Sequence, residues 1–202
     1  MKVTKAQAQA NRAHVVQTAS TLFRDRGYDG VGVADLMAAA GFTHGGFYKN
    51  FRSKADLIAE STACGMAGTV DLVDGVKPAD FVQQYLSRAH RDGRAAGCSL
   101  AALSGDAARQ PDEVRATFEA GIERMLAALS KGVGAQGDDP DLARAKCLDM
   151  MAHAVGALVM SRACPDDSPL ADEILAVCRE ALLASLAPGK AGASAGRSSV
   201  SA

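Results

Sequence analysis

The chain has 202 residues, of which 48% are hydrophobic and 4% aromatic, and its 22 Lys and Arg nearly balance 23 Asp and Glu. This length supports one or two compact domains. No apolar stretch reaches membrane-spanning length and the N-terminus lacks a signal-peptide core, so we expect a cytoplasmic protein without a membrane partner. Ala and Leu dominate and no alternating strand pattern is convincing, which predicts an all-α fold.

The net charge of −1 is unevenly distributed. Residues 1–61 contain eight Lys or Arg and five Asp or Glu, a net charge of +3, which leaves −4 on the remainder. A basic end on a mildly acidic body is typical of a DNA-binding head joined to a body that does not contact DNA.

The cysteines and histidines show no motif of a metal site or an enzyme. The five cysteines are odd in number and form no Cys-x-x-Cys pair, which favours reduced thiols over a disulfide framework or a zinc site. The four histidines are scattered, and no Gly-rich phosphate loop is present. We therefore predict no metal, no cofactor and no catalysis. A thiol-dependent enzyme is the competing interpretation, against which no Cys has a His placed by a motif.

Helical periodicity, caps and breaks predict about nine helices. The first ends at Gly27, and the fourth begins at Ser53, with Asp56 three residues on as an Asp version of the capping box. The ninth is expected to turn Ile174, Val177, Cys178, Ala181 and Leu182 inward. The predicted helices span residues 6–26, 33–40, 44–50, 53–73, 78–93, 97–105, 111 to the loop at 132–140, 141–163 and 169–186.

The second and third helices are short and joined by a tight turn. Gly41 lies where the second helix must stop, because glycine enters the left-handed conformation at little cost. Thr43 can cap the third helix, and Phe47 and Phe51, four residues apart, bury one face of it. The polar residues on its opposite face are His44, Tyr48, Lys49 and Asn50. Two short helices with exposed donors on the second are typical of a helix-turn-helix DNA reader.

Residues 12–58 resemble the N-terminal domain of the TetR family of bacterial transcriptional regulators. The matching positions are Arg12, Ala19 to Gly30, Leu36, Ala40 to Thr43, Gly45, Phe47, Tyr48, Phe51 to Lys54 and Asp56 to Ile58. Further on, the resemblance is one of layout only. The chain departs from the family at Gly32, where Ser or Thr is usual, and at Gly46 and Asn50, so base preference cannot be carried over.

The resemblance implies three regions. These are a helix-turn-helix DNA-binding domain at 1–52, a helical ligand-sensing and dimerisation domain at 53–187, and a disordered tail at 188–202. It also implies a homodimer through residues 141–187, in which the eighth and ninth helices pack on their copies as a four-helix bundle. The alternative is that both helices are wrapped inside one monomer.

The third helix is predicted to carry most of the DNA contacts. Its two adjacent glycines leave no side chain between the helix and a phosphate, the alternative being a frayed turn. Tyr48 is expected to bond a phosphate, or else to belong to the core, whereas His44 and Lys49 are expected to reach base edges. Arg12 contacts the DNA or pairs with an acid. The predicted DNA-binding residues are Thr43, His44, Gly45, Gly46, Tyr48, Lys49, Asn50 and Lys54.

The resemblance implies double-stranded operator DNA and a small-molecule inducer as partners. The inducer must bind the DNA-released conformation better, and the shortage of carboxylates on the inner faces predicts an apolar or aromatic molecule. The predicted ligand-binding residues are Met66, Phe81, Tyr85, Leu103, Phe118, Ile122, Met125, Met151 and His153. We thus predict a ligand-responsive, sequence-specific transcriptional repressor.

Two alternatives keep DNA binding but replace or omit the small-molecule inducer. Cys98 lies near the predicted start of the sixth helix, where N–H dipoles favour a thiolate, and Arg91 and Arg94 are close in sequence. It is a possible sensor of oxidants or electrophiles, or simply a small buried residue. The second alternative is an architectural DNA binder without a ligand, which salt-sensitive but sequence-indifferent binding would favour.

Overall fold

The computed structural model describes residues 4–133 and 139–187. Within these ranges the chain forms nine α-helices, two short 3-10 helices and no strand, which confirms the all-α prediction. The α-helices are α1 (Lys5–Arg26), α2 (Val33–Ala39), α3 (Lys54–Val73), α4 (Pro78–Tyr85), α5 (Arg88–Asp92), α6 (Ser99–Ala107), α7 (Asp112–Val133), α8 (Pro140–Ala163) and α9 (Pro169–Leu186). The 3-10 helices are His44–Lys49 and Arg94–Ala96. The tail predicted from residue 188 lies outside the described residues, as do residues 134–138 of the predicted 132–140 loop.

An ion pair between Arg12 and Glu60 joins α1 to α3. The Arg12 guanidinium forms a two-pronged pair with the Glu60 carboxylate and lies 4.6 Å from the centroid of the Phe51 ring. Of the two roles open to Arg12, this is the one that the structure shows. The pair holds α1 against α3, and the ring beneath it closes the apolar core of the head.

The start of α3 forms only half of the predicted capping box. The Ser53 hydroxyl accepts a bond from the Asp56 N–H at 3.1 Å. The Asp56 carboxylate, however, accepts from the Arg52 N–H at 3.1 Å and the Arg52 Nε at 2.9 Å instead of reaching the Ser53 N–H. This guanidinium lowers the pKa of the Asp56 carboxyl from its usual value. Helix α3 then continues past the head and packs on both α1 and α7.

Gly65 marks the point where α3 comes nearest to α1 and α6. A Cβ at this position would lie 2.5 Å from the Ser99 Oγ, 2.7 Å from the Ser20 Oγ and 2.9 Å from an Arg24 Nη. Real Cβ atoms do not approach so closely, so any larger residue here would have to displace these three side-chain ends.

The predicted helix over 78–93 is wrong, because the chain breaks it in two. Helix α4 ends at Tyr85, Leu86 has ψ 45°, and Ser87 is extended. The Ser87 hydroxyl then caps α5 by accepting a bond from the His90 N–H at 3.1 Å. The 3-10 helix Arg94–Ala96 follows and was also not predicted. The chain direction therefore changes twice between α4 and α6.

Helices α8 and α9 pack against each other and leave an apolar face uncovered. Two residues predicted to point inward, Val177 and Ala181, are exposed, so those two assignments are wrong. The reason is that α9 turns Ala171, Leu175 and Leu182 toward the core instead. The large exposed apolar residues on the pair are Leu142, Leu148, Val159, Met160, Leu170 and Val177. No helix in the described ranges has both the length and the apolarity needed to cross a membrane.

Candidate DNA-binding surface and ligand cavity

The 3-10 helix His44–Lys49 has one buried anchor and several exposed polar residues. Phe47 is 1% exposed and packs on the Phe51 ring, with centroids 5.5 Å apart. Tyr48 is 67% exposed, and Thr43, His44 and Lys49 are exposed as well. The buried pair of Phe47 and Phe51 anchors this 3-10 helix to the core of the head, and the polar side chains lie on its solvent-exposed face.

The two glycines of this helix are not required by the fold of the chain. Neither has a positive φ, unlike Gly27, Gly41 and Gly75. A Cβ on Gly45 would meet no described atom within 4 Å, and a Cβ on Gly46 would make only an ordinary contact with Met37, at 3.5 Å. The space beside Gly45 is therefore available to a molecule outside the chain. A phosphate approaching the backbone N–H groups would use such a space.

The hydrogen bonds of three predicted DNA-binding residues, Thr43, Asn50 and Lys54, differ from those expected from the sequence. The Thr43 hydroxyl makes no cap bond to the helix that follows, so its predicted capping role is wrong. The Asn50 amide donates to the Gly46 carbonyl at 3.0 Å. The Lys54 ammonium donates to the Tyr28 carbonyl at 2.5 Å, so it must leave this bond to reach a phosphate. The DNA contacts of all three stay predictions.

A cavity of about 220 Å³ lies between α3, α4 and the segment from α5 to α6. Its lining residues are Thr69, Leu72, Val73, Val76, Phe81, Gln84, Tyr85, His90, Ala96, Gly97 and Cys98. Leu72 is 68% exposed, so the cavity opens beside it. None of the described lining residues is Asp, Glu, Lys or Arg, so none carries a full charge at neutral pH.

Two of the nine predicted ligand-binding residues, Phe81 and Tyr85, line this cavity. The other seven do not, and they lie elsewhere in the body. Met66, Leu103, Phe118, Met125 and Met151 are buried, and Ile122 and His153 are half-buried. His90 was not predicted to line the cavity, because the break before α5 that brings it beside Tyr85 was not predicted.

His90, Tyr85 and Cys98 meet at the polar end of the cavity. The Cys98 N–H donates to the His90 Nε2 at 3.1 Å, and the His90 Nδ1 lies 2.8 Å from the Tyr85 carbonyl. Since a backbone N–H can only donate, Nε2 is the acceptor and Nδ1 carries the proton. Burial lowers the pKa of the His90 imidazole; the Tyr85 carbonyl opposes this shift and Arg162 adds to it. The ring is therefore neutral at pH 7.

The Tyr85 hydroxyl is buried and makes no well-formed hydrogen bond among the described residues; the polar group beside it is the Cys98 thiol. Tyr85 is 7% exposed, and its ring lies 4.5 Å from the His90 ring between centroids. Burial raises the pKa of this phenol well above its usual value, and the neighbouring Cys98 thiol acts in the same direction. The hydroxyl consequently stays protonated and can donate a bond.

Arg91 ties α5 to the turn between α8 and α9. It is 1% exposed; its Nε donates to the Ser161 Oγ at 3.1 Å and its Nη2 to the Cys164 carbonyl at 3.0 Å. Its Nη1 lies 3.1 Å from an Asp166 carboxylate oxygen. Arg91, although close to Cys98 in sequence, thus uses its guanidinium on Ser161, Cys164 and Asp166.

These features define a class of protein. Two short helices in a basic head, joined by a long helix to a helical body with an open cavity, are the parts of a helix-turn-helix transcriptional regulator. Residues 15–60 match the family described as bacterial regulatory proteins, tetR family. Residues 78–173 match the C-terminal domain described as transcriptional regulator LmrA/YxaF-like. The chain belongs to the TetR family of bacterial transcriptional regulators.

Individual relatives agree with this assignment. The chain is 37% identical over 57 residues to the regulator AcrR of Shigella flexneri, which covers 28% of this chain and 26% of that protein. It is 28% identical over 185 residues to the repressor DhaR of Mycobacterium sp. (strain GP1), which covers 86% of this chain and 93% of that protein. The chain thus spans about a quarter of AcrR but nearly all of DhaR.

The fold is also that of a solved regulator. The crystal structure of E. coli NemR in its reduced form superposes with a TM-score of 0.67 at 20% identity, over 86% of this chain and 95% of that one. At this identity the likeness shows the fold alone.

Proposed function

We propose that this chain is a dimeric, ligand-responsive transcriptional repressor that acts on DNA in the bacterial cytoplasm. Its head, residues 1–52, binds one half-site of a palindromic operator, and its body, residues 53–187, dimerises and holds the inducer. The observation that carries the proposal is Gly45, where neither a positive φ nor close packing calls for glycine and the space beside the backbone is open. Family membership and the repressors among the relatives support it.

Dimerisation is supported by the uncovered face of α8 and α9. Large apolar residues that stay exposed as a group are unusual on a monomer and mark an interface. A second copy is the occupant that fits, because two such helix pairs form a four-helix bundle around a two-fold axis. Two heads related by that axis would read half-sites spaced by whole turns of DNA.

The route from cavity to head runs through the segment at residues 94–98. This segment contributes Ala96, Gly97 and Cys98 to the cavity wall. On its other side, the Arg24 Nε of α1 donates to the Ala95 carbonyl at 2.8 Å. A ligand that displaces this wall therefore acts directly on the first helix of the head, and releases DNA if it prefers the displaced conformation.

A thiol signal through Cys98 is the second candidate. Cys98 is 3% exposed and is one of the residues that line the cavity, so a thiol reagent small enough to enter is the probe for it. NemR, one structural neighbour, was crystallised in a reduced form, and this supports testing the same question here. A Cys98→Ser chain that keeps its response to the inducer but loses any response to thiol reagents would separate the two signals.

The first experiment is selection of bound sequences from a random duplex pool, using the full chain at moderate salt. We expect an enriched palindrome with half-sites about one turn apart. With that duplex, Tyr48→Phe should weaken binding to all sequences about equally, and Lys49→Ala and His44→Ala should relax base preference. If Tyr48→Phe and Lys49→Ala both leave the affinity unchanged, the 3-10 helix is not in the groove. Enrichment of no sequence by a folded dimer would favour the architectural alternative.

A further inference from the structure

We propose that a basic cleft between α1 and the body binds a phosphate group, either as free phosphate or at the end of an organic molecule. This ligand is additional to the inducer in the cavity beside Tyr85. The inference goes beyond the proposed function, because it depends on the cleft alone and requires neither DNA nor the inducer.

The cleft has a volume of about 380 Å³ and lies where α1 meets α6, α8 and the 3-10 helix Arg94–Ala96. Its wall contains four guanidinium groups and one carboxylate, and we call it the arginine cleft. It shares no lining residue with the cavity beside Tyr85. The residues that line the arginine cleft are Arg24, Asp25, Arg26, Gly27, Arg94, Ala101, Ala102, Val159, Arg162 and Ala163.

The arginines that lack a carboxylate partner are concentrated in this cleft. Arg24, Arg94 and Arg162 form no ion pair within the described ranges, and all three line it. The other described arginines without such a partner are Arg124 and Arg179, which lie elsewhere. All the rest are ion-paired, namely Arg12, Arg26, Arg52, Arg88, Arg91, Arg109, Arg115 and Arg144.

Neutral groups take the hydrogen bonds of the two half-buried arginines. The Arg24 Nε donates to the Ala95 carbonyl at 2.8 Å, and its Nη1 donates to the Ser20 hydroxyl at 2.7 Å. The Arg162 guanidinium donates to the carbonyls of residues 90 and 91, at 2.7 and 3.0 Å. Burial lowers the pKa of both guanidinium groups. Carbonyl and hydroxyl oxygens satisfy donors, but they bring no negative charge, so two partly desolvated cations stay uncompensated.

The carboxylates near the cleft are already engaged. Asp25 lies 3.4 Å from the Arg26 Nε and offsets that charge alone. Asp106, whose carboxylate lies close to Gly27, is paired with Arg109 at 3.0 Å. The remaining positive charges of the cleft therefore have no counter-ion on the described part of the chain.

A phosphate group supplies what the cleft lacks. The charge of Arg94 adds to the lowering of the Arg162 pKa, because the two cations repel each other. An anion beside them replaces this repulsion by attraction. Phosphate carries up to two negative charges, and its oxygens accept from several guanidinium groups at once. The Arg94 side chain is exposed and has no partner among the described residues, so it is free to make such a bond.

The position of the arginine cleft gives the anion a structural consequence. Arg24 and Arg26 belong to α1, the first helix of the head, whereas Arg94 and Arg162 belong to the body. A phosphate held by both sets joins the head to the body. Binding should therefore stabilise the described packing of α1, by mass action on the folded chain.

Phosphate and phenyl phosphate, with benzylamine as a cation of similar outline to the second, test the proposal. Binding to the full chain is measured by calorimetry, without DNA, in a chloride buffer at fixed ionic strength. We expect saturable binding of both anions with a Kd on the order of 1 mM or tighter, and no binding of benzylamine. Equal affinities would identify free phosphate as the ligand, whereas tighter binding of phenyl phosphate would identify a phosphorylated organic molecule.

Arg94→Gln removes one charge of the cleft and should fold, because this exposed side chain has no bond to lose. It should weaken phosphate binding about tenfold or more, as for the loss of one hydrogen bond between charged groups. Arg94→Glu should abolish binding. Arg124→Gln is the matched control: Arg124 is also exposed and without a carboxylate partner, but it lies on α7 outside the cleft. The control should keep the affinity.

Three results would overturn the proposal. The first is a folded chain that binds neither anion, as expected if an acidic side chain of a second copy already fills the cleft. The second is binding that Arg94→Gln and Arg124→Gln weaken equally, which would indicate a general charge effect. The third is a loss of operator affinity in Arg94→Gln without phosphate present, which would identify the DNA backbone as the occupant. A chain that selects an operator but binds neither anion refutes this proposal alone.

Discussion

The His90 imidazole accepts a hydrogen bond from the Cys98 N–H across 3.1 Å. The bond joins α5 to the start of α6, and it exists only while Nε2 is unprotonated. His90 thus lines the cavity and also links α5 to α6 through its ring. Its protonation would replace an attractive contact by two donors facing each other.

This contact predicts a pH dependence of stability. Burial lowers the pKa of His90 in the folded chain, so below its ordinary value, about 6.5, the unfolded chain binds more protons than the folded one. Stability is therefore fully present above that value and is lost as the pH falls toward the folded pKa, by at most about 1.4 kcal/mol per pH unit. Urea unfolding between pH 7.5 and 5.5 measures it. His90→Gln, which does not titrate, should show a smaller loss, and equal losses in both chains would refute the assignment.

Two glycines of α3 should respond oppositely to alanine. Gly65→Ala places a Cβ within 2.5–2.9 Å of atoms on α1 and α6, and should cost about 1–3 kcal/mol through overpacking. Gly68 lies three residues after Gly65, and a Cβ there would meet no described atom within 4 Å. Gly68→Ala should therefore stabilise α3 by roughly 0.5–1 kcal/mol. Urea unfolding midpoints of the two chains give the comparison. Equal shifts would mean that α3 is not held as closely as described.

Gly45→Ala should separate folding from DNA binding. Its Cβ has open space, so the free energy of unfolding should stay unchanged or rise slightly. If a phosphate approaches the backbone there, the operator affinity should fall on the order of tenfold, as for the loss of one hydrogen bond to a charged group. Gel-shift titration checks this, with Gly105→Ala on α6 as a control that also has open space. An unchanged operator affinity for Gly45→Ala would contradict the phosphate contact and favour the alternative explanation of these glycines as a frayed turn.

Val177→Glu should dissociate the proposed dimer. The side chain is 58% exposed in the single chain, so a carboxylate there costs little until a second copy covers it. Sedimentation velocity should show a folded monomer, and operator affinity should fall with the loss of the second head. Ala116→Glu, at an exposed position of α7, is the control and should leave the dimer intact. A Val177→Glu chain that sediments as a dimer would place the interface elsewhere.

The sequence predicted the long helices well because each has strong local signals. Thr4 and Ser53 cap α1 and α3, Gly27 and Gly75 follow their ends with positive φ, and apolar spacing marks α7 throughout. In these elements local preference and tertiary packing agree, so a pattern read along the chain is sufficient.

The cavity was harder to predict because it depends on a break with a weak signal. Residues 86–87 contain neither glycine nor proline; the stop is Ser87, a serine that caps α5. The Tyr85 and His90 rings meet because the chain turns between them. In an unbroken helix, two residues five positions apart would lie on different sides of the helix. Phe81 and Tyr85 were predicted because they lie before the break, whereas His90 was not because it lies after it.

The absence of charge in the described cavity wall has a consequence for where the signal comes from. Ionised molecules cross a lipid bilayer slowly because burying a charge in hydrocarbon is costly, whereas small neutral molecules cross it unaided. If the cavity selects such a molecule, no uptake protein is needed to bring it to the regulator. The concentration beside the operator would then follow the concentration in the growth medium, and the chain would report on the surroundings of the cell.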